Sequence, residues 1–110
     1  MYIRLEDQII KFRVSREEAE KLLNGEKLES KTAFSDDFSL TYRVETTFQE
    51  SSFTSKCCKS LVLEINKQRL TDEIEDRPSK DGMCIEYKDR NVELKAYLVV
   101  NLKKKREPKN

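Results

Sequence analysis

The sequence contains no histidine among its 110 residues, and this absence excludes much of the chemistry that small enzymes use. It removes the commonest general base, the Ser-His and Cys-His nucleophile pairs and most catalytic zinc sites. Only two glycines are present, Gly25 and Gly82, and a turn accounts for each, so no phosphate-cradling glycine loop can be written. We therefore expect no enzyme, no catalytic residue, no cofactor and no metal site.

Long apolar runs and disulfide patterns are absent as well. No stretch approaches the roughly 18 consecutive apolar residues that a membrane-spanning helix needs, so we expect no contact with a membrane. Three cysteines, at positions 57, 58 and 84, are too few and odd in number for a disulfide scaffold. Cys84 alternates with apolar neighbours and is predicted to be a small buried residue. Unpaired cysteines and no visible signal peptide predict a cytoplasmic protein.

Charged residues are abundant instead. The chain has 22 basic and 21 acidic side chains, and this balance hides a cancellation along its length. Residues 1–50 hold 8 basic and 11 acidic side chains, whereas residues 102–110 hold 5 and 1. The length suits one compact domain, and the short periodic apolar runs argue against disorder. We assign residues 1–102 to a single domain and residues 103–110 to a basic, flexible tail.

The first half of the chain predicts two hairpins separated by a helix. Apolar and polar residues alternate over residues 3–5 and 10–14, as in a β-hairpin. Ser15 stands three residues before Glu18, and this pair forms a capping box that starts a helix. Gly25 ends the helix, because glycine readily adopts the left-handed conformation there. Residues 27–34 and 40–47 predict the second hairpin, whose first strand lies at a sheet edge.

The second half begins with a change in character. Small polar residues dominate residues 46–60, where only Phe48 and Phe53 could anchor the chain, and we interpret this stretch as a long loop. Alternation resumes over residues 61–65, Asn66 is a candidate helix cap, and a weak apolar stripe continues to residue 75. Strands over residues 83–87 and 92–102 complete the pattern.

The two halves repeat one order of signals. Ser15 and Asn66 stand at equivalent helix caps, 51 residues apart, and a strand precedes and a hairpin follows each helix. The repetition reflects either a duplication or a common module that is used twice. We predict an α+β protein with a mostly antiparallel sheet of about seven strands and two helices, arranged as two similar β-α-β-β halves.

Cys57 and Cys58 are the one pair with evident chemical potential. Adjacent cysteines can form a strained disulfide, bind a soft metal or act as reactive thiols, and the flanking Lys56 and Lys59 would favour the thiolate. We interpret the pair as ordinary residues that close the loop before the next strand. A thiol-dependent enzyme is the least favoured of the functional hypotheses.

Our second functional hypothesis is a nucleic-acid-binding protein. Clustered cations gain free energy by releasing counterions from phosphates. The cationic cluster of the tail consists of Lys103, Lys104, Lys105 and Arg106. Four strand residues would add the basic and aromatic side chains that single-strand binders use: Tyr42, Arg43, Lys95 and Tyr97. The small net charge and the acidic first half disfavour this hypothesis, and they favour a solubilising tail.

Our leading hypothesis is a small non-enzymatic protein that binds a protein partner or associates with itself. An edge strand can pair with another chain by strand addition. The predicted edge strand over residues 27–34 offers such an edge. Its alternating charges, on Lys27, Glu29 and Lys31, would instead protect the edge from pairing.

One segment resembles a known family. Residues 2–34 read YIRLEDQIIKFRVSREEAEKLLNGEKLESKTAF, with two strands, a Ser-capped helix, a glycine and a further strand. This order is similar to the opening of a family of short, uncharacterised bacterial proteins. The strands at Leu63-Glu64-Ile65 and at residues 94–102 are similar in placement. The shared motifs are structural and carry over no catalytic residue. The resemblance implies a bacterial, cytosolic protein of unknown function.

Overall fold

A computed structural model describes residues 1–56, 60–75 and 82–101, which form two helices and eight strands. The strands are β1 (Tyr2–Glu6), β2 (Ile9–Ser15), β3 (Leu28–Ala33), β4 (Ser39–Thr47), β5 (Ser52–Lys56), β6 (Ser60–Asn66), β7 (Met83–Asp89) and β8 (Val92–Asn101). The helices are α1 (Arg16–Leu23) and α2 (Lys67–Glu75). The predicted α+β class with two helices is confirmed. Neither helix of the described part of the chain has the length and apolar character to cross a bilayer.

The strands form two sheets, where the sequence predicted one. Sheet A has the order β1-β2-β8-β7, and sheet B has the order β3-β4-β6-β5. The outer pairs of each sheet are antiparallel, whereas the central pairs, β2 with β8 and β4 with β6, are parallel. Both sheets are therefore mixed. The prediction missed this because alternation identifies strands without telling which strands pair.

The element order repeats along the chain. The first half contributes β1-β2-α1-β3-β4, and the second half contributes β5-β6-α2-β7-β8. Each sheet takes one hairpin from each half, so the two halves interlock. The register repeats too, because Phe12 pairs with Leu98 in sheet A as Leu63 pairs with Val44 in sheet B. The two similar halves are thus present, and each begins with a complete hairpin.

The loop predicted over residues 46–60 is wrong within the described residues. β4 continues to Thr47, and β5 occupies much of the remainder as an edge strand of sheet B. Phe53 of β5 is buried, and its ring centroid lies 6.3 Å from that of Phe12 and 5.2 Å from that of Tyr87. The other described side chains of β5 are polar. A single inward aromatic residue was too sparse a signal for a strand.

The core lies between the two sheets and beneath the helices. Its fully buried large side chains are Phe12, Leu22, Val44, Leu63, Ile65, Leu70 and Leu98. Burying one such side chain contributes about 2 kcal/mol of transfer free energy. No polar or charged residue is buried in the described part of the chain, so the core is held together by apolar packing.

The helices and the hairpin turns lie at opposite ends of the molecule. The central strands of each sheet run parallel, so the turns that precede them lie at one end. α1 packs against β2, β4 and β8, and the Thr46 hydroxyl near the end of β4 donates to the Leu22 carbonyl at 3.3 Å. β2 and β4 therefore end beside the same helix. We name this the helix end, and we name the end with the β1–β2, β3–β4 and β7–β8 turns the hairpin end.

The predicted capping box of α1 is confirmed. The Ser15 hydroxyl accepts a hydrogen bond from the Glu18 amide at 3.1 Å, and the Glu18 carboxylate accepts one from the Ser15 amide at 2.9 Å. The carboxylate also accepts from the Met1 ammonium group. Partial burial raises the pKa of Glu18, but these hydrogen bonds and the ammonium charge outweigh it, so the pKa lies below its ordinary value. Asn66 caps α2 in turn, as its side-chain oxygen accepts from the Arg69 amide at 3.0 Å.

The two glycines have left-handed conformations in different surroundings. Gly25 follows α1 with φ of +93°, and open space surrounds the position that a Cβ atom would take. Gly82 precedes β7 with φ of +91°, and a Cβ atom there would lie 2.6 Å from the Leu98 carbonyl oxygen. Only Gly82 therefore has both a conformational and a steric reason to be glycine.

We expect Gly82→Ala to destabilise the protein more than Gly25→Ala. Either change places a side chain in the left-handed region, at a cost of about 1–2 kcal/mol. Gly82→Ala must also push β7 away from the β8 backbone, which brings its total to roughly 3 kcal/mol or more. Urea denaturation measures both losses, with Gly25→Ala as the matched control. Equal losses would contradict the close approach of Gly82 to Leu98.

We expect Glu18→Gln to destabilise the protein in a pH-dependent way. Because the folded-state pKa of Glu18 is lowered, its stabilising effect is present above the unfolded-state pKa and is lost as the pH falls through the folded-state value. The variant should lose about 1 kcal/mol at pH 7, and this loss should disappear as the pH falls through the lowered folded-state pKa. Urea denaturation across this range tests the expectation. Glu20→Gln, on the exposed side of α1, is the control, and a pH-independent loss for Glu18→Gln would refute it.

Candidate functional site

Exposed apolar side chains concentrate at the hairpin end. Six large apolar residues are exposed in the described part of the chain, and four of them lie on the hairpins at this end: Leu5, Phe34, Phe38 and Val92. The rings of Phe34 and Phe38 stack with their centroids 5.1 Å apart. Exposed apolar patches are typical of binding sites, so the clustering at this end makes it a candidate binding surface.

A groove of about 400 Å³ opens between the two sheets at the hairpin end, and we name it the inter-sheet groove. Strands of sheet A form one wall, and β5 and β6 form the other. Its apolar lining residues are Leu5, Ile9, Ile10, Phe53, Leu61, Tyr87, Val92 and Leu94. Its polar lining residues are Glu6, Gln8, Ser55 and Asp89. A mostly apolar lining with a few polar groups is typical of ligand sites in proteins.

The two repeats differ at a position that lines the groove in both sheets. Leu5 pairs with Ile10 in sheet A, and Ser55 pairs with Leu61 at the equivalent position of sheet B. The serine side chain is smaller than the leucine and does not extend far from its strand. Ser55 therefore fills less of the groove than a leucine would, and Leu5 itself is 63% exposed.

Gln8 joins the two hairpins that border the groove. Its side-chain amide donates to the Glu93 carbonyl at 2.7 Å, and its own carbonyl accepts from the Lys95 amide at 3.1 Å. Its φ of +53° lies in the left-handed region, at a cost of about 1–2 kcal/mol that these hydrogen bonds offset. The β1–β2 turn is thus fixed to β8. A second depression, of about 600 Å³, shares Gln8, Ile9, Tyr87 and Leu94 with the groove and adds mainly charged residues.

The charged residues that line the inter-sheet groove are carboxylates. Glu6 is already paired, because the Arg4 Nε atom lies 3.2 Å from its carboxylate. Asp89 has no ion-pair partner among the described residues. No lysine or arginine of the described chain lines the groove. The groove therefore favours apolar groups, and its remaining charge favours a cation.

The cysteines do not form a site in the described structure. Cys57 and Cys58, the predicted candidates for reactive thiols, lie outside the described residues. Cys84 is exposed on the outer face of β7, so the prediction of burial is wrong. Its alternation with Met83 and Ile85 was correct, but the face opposite the core is open to solvent. No group of three cysteine or acidic side chains in the described chain is placed to hold a metal ion.

The predicted nucleic-acid residues do not come together. Lys103, Lys104, Lys105 and Arg106 lie outside the described residues. Tyr42 points into the core, where its hydroxyl lies 3.2 Å from that of Thr32. Arg43 lies on the outer face of sheet B, 3.4 Å from the Glu45 carboxylate. Only Lys95 and Tyr97 share a surface, the outer face of sheet A, because residues 42–43 belong to the other sheet.

The sequence analysis missed the residues that join Tyr97 on this surface. We name it the basic–aromatic face, and it consists of Tyr2, Arg4, Lys11, Arg13, Tyr97 and Val99. The Lys11 ammonium group lies 5.8 Å from the centre of the Tyr97 ring. The alternation of β1 and β2 already placed the basic residues outward. Only the parallel pairing of β2 with β8, which no local pattern predicts, brings them beside Tyr97.

The predicted edge strand is confirmed, and its role in binding stays a prediction. β3 lies at the edge of sheet B and pairs with β4. Glu29 and Lys31 of β3 are exposed, as the alternation predicted. Lys27 pairs with Glu45 at 3.7 Å. These charges discourage pairing with another apolar strand, so the edge is a weaker candidate site than the groove.

Comparison with known proteins gives a family without an activity. A family model described as a family of unknown function, DUF7009, matches residues 1–100. No curated protein matches the chain, and no solved structure matches it. Family membership therefore assigns no chemistry to the hairpin end.

Proposed function

The chain belongs to DUF7009, a family of unknown function, and from the geometry of the hairpin end we propose that it is a non-enzymatic binding protein. Its ligand is an amphipathic molecule with an apolar body and a cationic group, and it binds in the inter-sheet groove. The observation that carries this proposal is a groove whose lining is largely apolar and whose charged residues are Glu6 and Asp89.

The apolar lining supplies most of the affinity. Leu5 and Val92 are 63% and 48% exposed, so a ligand that covers them removes apolar surface from water. Phe53 of sheet B and Tyr87 of sheet A pack edge to face at 5.2 Å, so each wall contributes an aromatic ring. Each buried methylene contributes about 0.8 kcal/mol, so half of a ten-carbon chain contributes about 4 kcal/mol. That free energy corresponds to a dissociation constant on the order of 1 mM.

The carboxylates determine the preference for charge. Asp89 lacks an ion-pair partner among the described residues, and Arg4 neutralises much of the charge on Glu6. A single exposed ion pair contributes about 0.2–1 kcal/mol, which amounts to at most about a fivefold preference. A cationic ligand should therefore bind a few times more tightly than an anionic ligand of the same length.

The lining supports binding rather than catalysis, and the cysteine chemistry supports a reducing compartment such as the cytoplasm. The groove contains the Ser55 hydroxyl, but the chain has no histidine to activate it as a nucleophile. The exposed thiol of Cys84 is stable where disulfides do not form.

We expect decylammonium to bind the inter-sheet groove more tightly than decanoate. Titration of the ¹⁵N-labelled protein should shift the amide signals of residues 5–10, 53–55 and 87–94 in NMR spectra. The dissociation constant for decylammonium should be about two- to fivefold lower than that for decanoate. Asp89→Asn should reduce this preference. Signals that do not shift with either compound at millimolar concentration would refute the proposal.

We expect the double variant Leu5→Asn and Val92→Asn to weaken decylammonium binding at least tenfold. Both side chains are exposed, so the substitutions remove groove lining without opening the core. Phe48→Ser is the matched control, because Phe48 is 88% exposed and lies near α2, with its ring 6.0 Å from the Lys67 ammonium group. The control should bind as the parent protein does. Equal weakening in both proteins would indicate non-specific binding.

A further inference from the structure

We propose that the basic–aromatic face of sheet A binds single-stranded nucleic acid. This face lies on the solvent side of sheet A, whereas the inter-sheet groove lies on its inner side. The Arg4–Glu6 ion pair lies at the border of the two sites, and this inference does not depend on the proposed function. It rests on the arrangement of cations and aromatic rings across β1, β2 and β8.

The face consists of two neighbouring rows of side chains. In one row, Arg4 stands opposite Lys11, and Lys11 stands beside Tyr97. In the other row, Tyr2 stands opposite Arg13, and Arg13 stands beside Val99. These side chains lie on the face opposite the core, because Phe12 and Leu98, on the alternate positions of β2 and β8, are buried. Each row therefore combines one or two basic residues with one tyrosine across three adjacent strands.

Neighbouring cations of this face repel each other, which destabilises the free protein. Arg4 and Lys11 occupy directly opposed positions of an antiparallel pair, and like charges in that arrangement repel each other. Glu6 relieves Arg4 alone, through its 3.2 Å contact. Lys11 and Arg13 have no ion-pair partner among the described residues. An anionic ligand would remove this repulsion.

The aromatic rings fit the spacing of a single strand. Tyr2 is 59% exposed on β1. Tyr97 lies on β8, with β2 between the two strands, and it belongs to the neighbouring row of side chains. From the strand spacing and the rise per residue, their Cα atoms are roughly 12 Å apart, which an extended strand spans in about two nucleotides. Bases that stack on these rings would place their phosphates beside Lys11 and Arg13.

Among the residues that the structure describes on this face of sheet A, the acidic ones lie on the side near the hairpin end. The next row contains Glu6 and Glu86, on either side of Ile9 and Lys95. The two rows that form the site contain no carboxylate among the described residues. The two rows therefore lie on the side of this face that is nearer the helix end, where β8 ends at Asn101. The sequence that follows, residues 102–110, carries five basic side chains and one acidic side chain.

A single-stranded nucleic acid fits this face better than a nucleic-acid duplex or an anionic membrane does. A duplex hides the faces of its bases, so it cannot use the two tyrosine rings. An anionic membrane attracts cations without requiring aromatic rings at a fixed spacing. Recognition through both phosphates and bases therefore distinguishes the proposed ligand from either alternative.

The experiment measures binding of a fluorescently labelled twelve-nucleotide single strand of uridines by anisotropy. The face variant is Lys11→Gln with Arg13→Gln, and the control is Lys27→Gln with Lys31→Gln on sheet B, which removes the same charge. We expect the face variant to bind at least tenfold more weakly and the control to change less than twofold. The slope of the logarithm of affinity against that of salt concentration should fall by about 1.4 in the face variant.

A second variant tests stacking separately from charge. Tyr97→Leu keeps an apolar side chain but removes the ring, and it should weaken binding of the single strand about tenfold. Circular dichroism melting confirms that each variant is folded. Equal affinity of the face and control variants, or of a duplex of the same length, would overturn the proposal. Binding that disappears on deletion of residues 103–110 yet is unchanged in both face variants would also overturn it, and so would binding to phosphatidylserine vesicles alone.

Discussion

The parallel pairing of β2 with β8, and of β4 with β6, is the constraint on which the rest of the structure depends. These are the pairs that join the first half of the chain to the second within each sheet. The in-register side chains Phe12, Leu98, Val44 and Leu63 meet there and are completely buried. Each half alone would have two separate hairpins and no sheet of more than two strands, which is marginally stable in water.

The same pairing separates the two candidate sites. Parallel central strands place the turns before them at one end, so the open interior of the sandwich lies there and the helices cover the other end. The inner side of sheet A then contributes Leu5 and Leu94 to the groove. Its outer side places Lys11 next to Tyr97. One sheet thus offers a largely apolar surface on its inner side and a basic surface on its outer side, and Glu6 lies at the border between them.

Local features could be predicted from the sequence, and long-range features could not. The capping box of Ser15 and Glu18 involves residues three apart, so the pattern alone determines helix α1. β5 has one inward aromatic residue, Phe53, and its strand character depends on pairing with β6. The pairing partners of β2 and β4 lie in the other half of the chain, and alternation carries no information about them.

The candidate sites were predictable to the same limited degree. Lys95 and Tyr97 were expected on one surface and do share it. Tyr42 and Arg43, expected there too, point to opposite sides of sheet B. The inter-sheet groove could not be predicted, because residues of both sheets line it and because Ser55 stands in sheet B where sheet A has Leu5. Only the register of both sheets reveals that difference.

The interlocked halves also govern when the protein can fold. Ile9 pairs with Lys95, so the contacts of β2 with β8 join residues that are 86 positions apart in the chain. Contacts of such separation carry a large loop-closure entropy, and folds rich in them form slowly. During synthesis, β1 and β2 leave the ribosome long before β8. Until β8 is available, the edge of β2 that pairs with it has no partner strand. Sheet A therefore acquires its central pair only when β8 is available, whereas the β4–β6 pair of sheet B joins segments that are closer in the chain.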